Sequence, residues 1–197
     1  MKSALFTLLL SFTLFLTFSS CKKSNPVGPP DNNEIWPLKT GNTWVLQSTY
    51  YDSTGAVSST GLWAIEVTKD TVVEGQTWYR LFDNSYFYTN KSDGLWLLWS
   101  NSTAMSELLL WKYPVSAGDN WPNYPYQVTA ESTNVSITVP NGTYTCYLYR
   151  MTYNSQPAED DYLCPGVGIV ARNVYLTTST GIVYKEYHGE LSSLTLK

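Results

Sequence analysis

Apolar and polar residues alternate at every second position in several stretches of the chain. The sequence WAIEVT (residues 63–68) places its Trp, Ile and Val on one side of an extended chain, and NVSITVP (134–140) does the same with Val, Ile and Val. Alternation with a period of two is typical of a strand that has one buried face. No convincing stretch has apolar residues at positions i, i+3, i+4 and i+7, which an amphipathic helix requires. The pattern therefore predicts an all-β protein.

Short glycine-containing sequences separate these runs and read as turns. They include DSTG, VEGQ and KSDG, and PNGT contains Asn141–Gly142, the strongest short hairpin signal. We expect about ten to twelve strands joined mostly by short loops, which favours sequential antiparallel pairing. The predicted fold is a single antiparallel domain with a strongly curved sheet or a partial barrel, and a β-sandwich is the alternative.

An internal repeat suggests that the domain consists of two similar β units. The sequence WPLKTGNTW (36–44) matches YPVSAGDNW (113–121) in its aromatic, Pro, aliphatic, Gly, Asn or Asp, and Trp positions. Each copy precedes a strand-rich stretch with a glycine-centred hairpin. The units would be successive halves of one curved sheet or the two leaves of a sandwich, unless the match is a coincidence in an aromatic-rich chain.

The first twenty residues have the features of a secretory signal peptide. A basic residue precedes an apolar run from Ala4 to Phe18, which is shorter than the roughly 20 residues that cross a bilayer. The sequence LTFSSC resembles the bacterial lipobox, in which the cysteine receives lipid and becomes the new N-terminus. Phe18 stands where an aliphatic residue is usual. The resemblance implies lipidation of Cys21, and an ordinary signal with an incidental cysteine is the alternative.

Residues 21–34 are predicted to be a lipidated cysteine followed by a flexible spacer. The spacer is rich in proline and polar residues and cannot bury enough surface to offset its ordering entropy. Lys22 is a non-acidic residue after the cysteine, which by resemblance to enterobacterial sorting implies export to the outer membrane. We therefore expect an envelope protein, anchored through lipid on Cys21, with a single β domain at residues 35–197.

Composition narrows the possible partners. The chain has 8 Trp and 16 Tyr, and its formal charge of −4 argues against a nucleic-acid partner. Two cysteines remain if Cys21 is lipidated, and an exported pair of cysteines favours a disulfide between Cys146 and Cys164. Such a bridge would close a loop of about 19 residues, worth roughly 3 kcal/mol in the chain-entropy model. Two free thiols or a metal pair are the alternatives. No metal site and no cofactor is predicted.

Two short motifs resemble those of a known group of proteins. PLKTGNTW stands near the start of the domain and PGVGIVARN near its end, after a lipobox and a proline-rich spacer. This arrangement resembles a group of uncharacterised bacterial lipoproteins with an early PLKxGNxW and a late APGVGLV motif. Cys164 stands where that group has Ala. The resemblance implies no activity.

Three further features could be sites, and for each the structural interpretation is favoured. PGVGIV lacks the following helix that a phosphate-binding loop needs, so we interpret it as a turn before a strand. The three acids Glu159, Asp160 and Asp161 are interpreted as a solvated loop, with a weak calcium site as the functional alternative. His188 is interpreted as a structural or surface residue, with a general base as the alternative.

The tryptophans are the remaining candidates for a binding site. They could line a pocket for an apolar ligand or form a platform for sugar rings, or they could simply fill the interior. We therefore expect a non-enzymatic, lipid-anchored binding module for an apolar or glycan ligand. A structural or protein-interaction component of the envelope is the first alternative, and a hydrolase with an unrecognised site is the second. The candidate ligand-binding residues are Trp63, Trp78, Trp96, Trp99 and Trp111.

Overall fold

A computed structural model describes residues 34–82, 86–100 and 105–197, and these residues form twelve strands and no helix. The predicted signal peptide, Cys21 and the spacer as far as residue 33 lie outside this range. No described segment is a helix long and apolar enough to cross a membrane. The strands are β1 (Thr43–Tyr51), β2 (Val57–Val73), β3 (Gln76–Leu81), β4 (Phe87–Lys91), β5 (Gly94–Ser100), β6 (Met105–Lys112), β7 (Asn120–Asn123), β8 (Tyr126–Val139), β9 (Gly142–Tyr153), β10 (Gln156–Cys164), β11 (Gly168–Thr177) and β12 (Val183–Thr195).

The twelve strands form one antiparallel sheet that is nearly closed into a barrel. Its order is β6-β5-β4-β3-β2-β1-β12-β11-β10-β9-β8-β7, so each strand pairs with its neighbours in sequence and β1 also pairs with β12. The exception is β6 and β7, which are the two edges of the sheet. The all-β class and the strongly curved sheet are confirmed, and the sandwich alternative is wrong because no second sheet is formed by the described residues.

Side chains bridge the gap between β6 and β7. The Trp121 indole donates a hydrogen bond to the Leu110 carbonyl at 3.2 Å, and the Tyr149 hydroxyl donates to the Lys112 carbonyl at 2.7 Å. Exposed sheet edges present unpaired backbone groups. At this edge, two buried aromatic side chains donate hydrogen bonds to backbone carbonyls of β6.

The internal repeat is visible in the backbone hydrogen bonds. The Gly41 amide donates to the Val67 carbonyl at 2.8 Å, and the Gly118 amide donates to the Ala130 carbonyl at the same distance. Both glycines have positive φ angles, of 89° and 91°. The two units are therefore β1–β6 and β7–β12, successive halves of one sheet. The reciprocal bonds also correspond, from Val67 N to Asn42 O and from Ala130 N to Asp119 O, both at 2.9 Å.

The inner face of the sheet is filled by large side chains. Its two ends differ, and we call the end where β1 ends and β12 begins the mouth, and the opposite end the base. The base is covered by residues 34–38, where the Trp36 ring packs edge-on against Trp44 at 5.4 Å. The fully buried core residues include Trp44, Leu46, Ile65, Leu81, Tyr149, Leu163, Ile169 and Leu191.

The early and late sequence motifs meet at the base. Val167 N donates to Cys164 O at 2.9 Å, which forms the predicted turn between β10 and β11. The Trp44 indole donates to the Val167 carbonyl at 2.6 Å. Gly168 has a φ of 89° and lies so close to Trp36 that a Cβ atom would come within 2.5 Å of the ring. The turn interpretation of PGVGIV is confirmed, and its glycines make room for the N-terminal segment.

Candidate functional site

A polar group lies on the inner face of the sheet, between the packed core and the mouth. One row of directly paired residues crosses the strands β1, β12, β11, β10 and β9. The core residue Tyr149 identifies this row as the inner one. The row consists of Ser48, Gly189, Arg172, Asp161 and Tyr149.

Arg172 is paired with two carboxyl groups on this face. Its guanidinium donates to both oxygens of Asp161 at 2.6 and 3.1 Å and contacts Glu159 at 2.8 Å. The interpretation of Glu159, Asp160 and Asp161 as a solvated loop is therefore wrong, because these residues belong to β10. Asp160 and Asp161 are 3% and 0% exposed. Buried carboxylates require a paired, hydrogen-bonded partner, and Arg150 supplies it for Asp160 on the outer face.

The pKa of Glu159 is raised to about 8. Burial is the largest cause, and the nearby Asp161 carboxylate raises the pKa by more than Arg172 lowers it. One guanidinium cannot neutralise two carboxylates in a poorly solvated place, so one of them takes up a proton. Near neutral pH, Glu159 is therefore mainly a neutral carboxyl group. The group of Arg172, Asp161 and Glu159 then has no net charge.

A cavity of about 260 Å³ opens above this group at the mouth, and we call it the mouth cavity. Aromatic rings form its walls: Tyr187 lies 5.1 Å from Tyr50 and 6.3 Å from Trp63 between ring centroids. Trp63 is in turn stacked on Phe82 at 5.3 Å. The Tyr187 hydroxyl is fixed by a buried hydrogen bond of 3.0 Å with Ser48. The cavity is lined by Tyr50, Trp63, Arg172, Val174, Glu186 and Tyr187.

Two more cavities lie at the mouth. The tyrosine cavity, of about 340 Å³, is lined by residues that begin β8 and β10 and end β9 and β11, including Tyr126, Tyr153 and Tyr175. A third cavity, also of about 340 Å³, lies on the β4–β6 side and is lined by Tyr86, Leu97, Trp99, Leu108 and Tyr124.

The five candidate tryptophans lie in different surroundings. Trp63 lines the mouth cavity, and Trp99, which is 38% exposed, lines the third cavity. Trp78 and Trp111 are 1% and 3% exposed and therefore contribute to packing. Trp96 lies under the Lys91 ammonium group at 4.6 Å and donates a hydrogen bond to Asp93. The structure thus places one of the five, Trp63, in the mouth cavity.

His188 lies on the outer face, away from the mouth cavity. Its Nδ1 is 2.7 Å from the Asn173 amide oxygen, and its Nε2 is 3.1 Å from Glu190. Both ring nitrogens therefore have polar partners within the sheet. Among the described residues, no group of three His, Cys, Asp or Glu side chains could hold a metal ion.

Cys146 and Cys164 lie next to each other on β9 and β10, one residue beyond the last β9–β10 pair, Tyr147 with Leu163. Both are buried free thiols, so the structure does not contain the predicted disulfide, which stays a prediction. A hydrogen bond between the two sulfur groups lowers the pKa of Cys164 and raises that of Cys146.

Sequence reasoning missed most of the mouth cavity. Arg172 appears in the sequence as part of PGVGIVARN, and Glu159 and Asp161 as part of an acidic run. Their association depends on strand register, which neither motif reveals. Tyr50, Glu186 and Tyr187 lie in alternating stretches, and only the curvature of the sheet brings them to one opening.

Comparison with known proteins gives little further information. No family model matches the chain, and no curated protein is significantly similar to it. A crystal structure of a putative lipoprotein from Parabacteroides distasonis is similar with a TM-score of 0.45 and 14% identity, over 84% of this chain and 100% of that chain. A similarity of this size carries no argument about function.

Proposed function

We propose that this protein is a lipid-anchored component of the bacterial envelope that binds a neutral glycan in the mouth cavity. The observation on which the proposal depends is the combination of three aromatic walls with the charge-compensated polar group of Arg172, Asp161 and Glu159. Sugar rings offer weakly polar faces that pack on aromatic side chains, while their hydroxyl groups exchange hydrogen bonds with guanidinium and carboxyl groups.

The charges favour a neutral ligand over an anionic one. Arg172 is already engaged by Asp161 and Glu159, and Glu186 adds another carboxyl group to the cavity wall. A fatty-acid carboxylate would therefore meet no uncompensated cation here. A neutral sugar hydroxyl costs less to bring beside this group than a charged group does.

The shape of the inner face favours a glycan over an apolar ligand. Lipid-binding barrels enclose a deep interior cavity, whereas the inner face below this mouth is filled by residues such as Trp44, Leu46 and Tyr149. The mouth cavity of about 260 Å³ is slightly smaller than most small-molecule sites, which begin at about 300 Å³. It suits a sugar ring better than an acyl chain.

The carboxyl groups near the cavity support a binding role better than hydrolysis. Glycosidases place two carboxyl groups about 5 Å or more apart, on either side of the bond to be cleaved. Glu159 and Asp161 instead interact directly with each other and share Arg172, and Asp161 is fully buried. No substrate bond fits between them, so we propose a non-enzymatic protein.

The position of the predicted anchor is consistent with this role. Residues 34–38, which follow the spacer, cover the base, at the opposite end from the mouth cavity. A lipid on Cys21 would therefore be tethered through the spacer to the base, at the opposite end from the mouth cavity. Lys22 supports the outer membrane as the place of anchoring.

Binding of glycans to the full-length chain in detergent tests the proposal. The probes are α-1,4-glucan, β-1,4-glucan, β-1,3-glucan, β-1,4-mannan and β-1,4-xylan fragments, with palmitate and calcium as comparators. We expect at least one glycan series to raise the melting temperature and to bind in calorimetry, and palmitate and calcium to do neither. Tyr50→Ala, which truncates a wall of the mouth cavity, should weaken binding at least tenfold.

Trp96→Ala is the matched control, because it removes a large aromatic ring outside the three mouth-end cavities. Equal losses in Tyr50→Ala and Trp96→Ala would contradict a site in the mouth cavity. Binding of palmitate alone would favour the apolar alternative. Failure of every probe would favour a structural or protein-interaction role.

A further inference from the structure

We infer that the ligand is an extended glycan chain that occupies both the mouth cavity and the neighbouring tyrosine cavity. The inference rests on the proposed function and deepens it, because it specifies a polymer rather than a single sugar. It depends on the position, chemistry and rigidity of the tyrosine cavity.

The two cavities share strand β11. Arg172 and Val174 line the mouth cavity, and Tyr175, Leu176 and Thr177 line the tyrosine cavity. Val174 and Leu176 are about 7 Å apart along an extended strand. The residues that line the two cavities therefore follow one another along β11, and both cavities lie at the end opposite the base.

The tyrosine cavity has the chemistry of a second sugar site. Every residue that lines it is uncharged, which matches a neutral ligand. Tyr126 and Tyr153 provide two rings at 5.9 Å, while Gln156 and Thr177 offer polar groups for hydroxyls. An acyl chain would leave these polar groups without partners, which is costly.

The cavity wall is held in place from the outer face. The Tyr175 hydroxyl donates to Asp160 at 2.9 Å, and Asp160 accepts two hydrogen bonds from Arg150 at 2.7 and 3.1 Å. Bidentate arginine–carboxylate pairs fix geometry as well as adding energy. Tyr175 is thus positioned before any ligand arrives, which reduces the entropy lost on binding.

The test is the dependence of affinity on chain length, measured by calorimetry on the full-length chain with each of the five glycan series from one to six units. We expect the series that binds to gain at least tenfold in affinity between one and four units. Tyr153→Ala should abolish this gain and leave the affinity for the shortest fragment unchanged. Tyr50→Ala should weaken binding at every length.

Tyr124→Ala is the matched control, since Tyr124 is 91% exposed at the same end and lines neither of the two cavities. Binding that is equally tight at every length would overturn the inference while leaving the proposed function intact. An unchanged length dependence in Tyr153→Ala would also overturn it. If no fragment of any length binds, the proposed function fails, and the inference fails with it.

Discussion

At the scale of residues, the acidic run in β10 contributes to both faces of the sheet. Asp161 lies opposite Arg172 on the inner face, and Asp160 lies opposite Arg150 on the outer face. Removing one partner of such a pair leaves an uncompensated buried charge, which costs several kcal/mol. Glu159 takes up a proton because it is buried, and because it has no arginine of its own and shares that of Asp161.

The shared arginine predicts a dependence of stability on pH. The pKa of Glu159 is raised from 4.5 to about 8 on folding, so the folded chain binds a proton that the unfolded chain releases. Between about pH 5 and pH 8, this group should therefore lower the free energy of unfolding by up to about 1.4 kcal/mol per pH unit as the pH rises. Glu159→Gln should remove this component of the slope, measured by urea unfolding at pH 5.5, 6.5 and 7.5.

Glu66→Gln, which changes an exposed carboxylate on β2, serves as the control and should keep the wild-type slope. If Glu159→Gln also keeps the wild-type slope, Glu159 is not the group that binds the extra proton in the folded chain.

Sequence reasoning reached the strands but not these partnerships, and the reason is physical. Counting back from the β9–β10 turn, where Tyr153 pairs with Gln156, would place Arg150 opposite Glu159. A bulge between Pro157 and Glu159 shifts the register by one residue, so that Arg150 faces Asp160 instead. A second bulge in β10–β11 moves Arg172 opposite Asp161. Bulges re-aim side chains without a sequence signal as clear as alternation.

At the scale of elements, hairpins were predictable in place but not in detail. The Asn141–Gly142 signal does mark the β8–β9 hairpin, but the loop is Pro140–Asn141 and Gly142 is the first residue of β9. The turn at PGVGIV was predicted from its glycines and from the absence of a helix pattern. The packing of Trp36 against Gly168 could not be predicted, because the two residues are 132 positions apart in the sequence.

This contact predicts unequal effects of two glycine substitutions. Gly168→Ala combines the strain of a positive φ with a clash against Trp36, and we expect a loss of about 3 kcal/mol in the free energy of unfolding. Gly55→Ala has a similar φ of 83° in open space and should cost only about 1 kcal/mol. Urea unfolding of both variants checks the difference, and equal losses would show that Trp36 does not restrict this position.

At the scale of the whole molecule, closure depends on the side chains that cross the gap between β6 and β7. Tyr149→Phe removes the hydrogen bond to Lys112 and leaves a partly buried carbonyl without this donor, so we expect a loss of about 1 kcal/mol in the free energy of unfolding. Amide exchange in β6 and β7 should become faster. Tyr147→Phe is the control, because it removes the hydroxyl of the ring stacked on Tyr149 without removing a hydrogen bond across the gap. Equal exchange rates in the two variants would contradict a role of the Tyr149 hydroxyl in closing the sheet.

The internal repeat makes the two junctions between the halves β1–β6 and β7–β12 comparable. In a ring of two equal halves, the junction of β1 with β12 and that of β6 with β7 are equivalent positions. The β1–β12 junction is formed by eight pairs of residues in a backbone ladder. The β6–β7 junction is instead spanned by residues 113–119 and by side-chain hydrogen bonds such as those of Trp121 and Tyr149. The two halves therefore meet at one junction that has a backbone ladder and at one that has none. At the junction without a backbone ladder, the covalent connection through residues 113–119 keeps β6 and β7 together, which no connection does between β12 and β1.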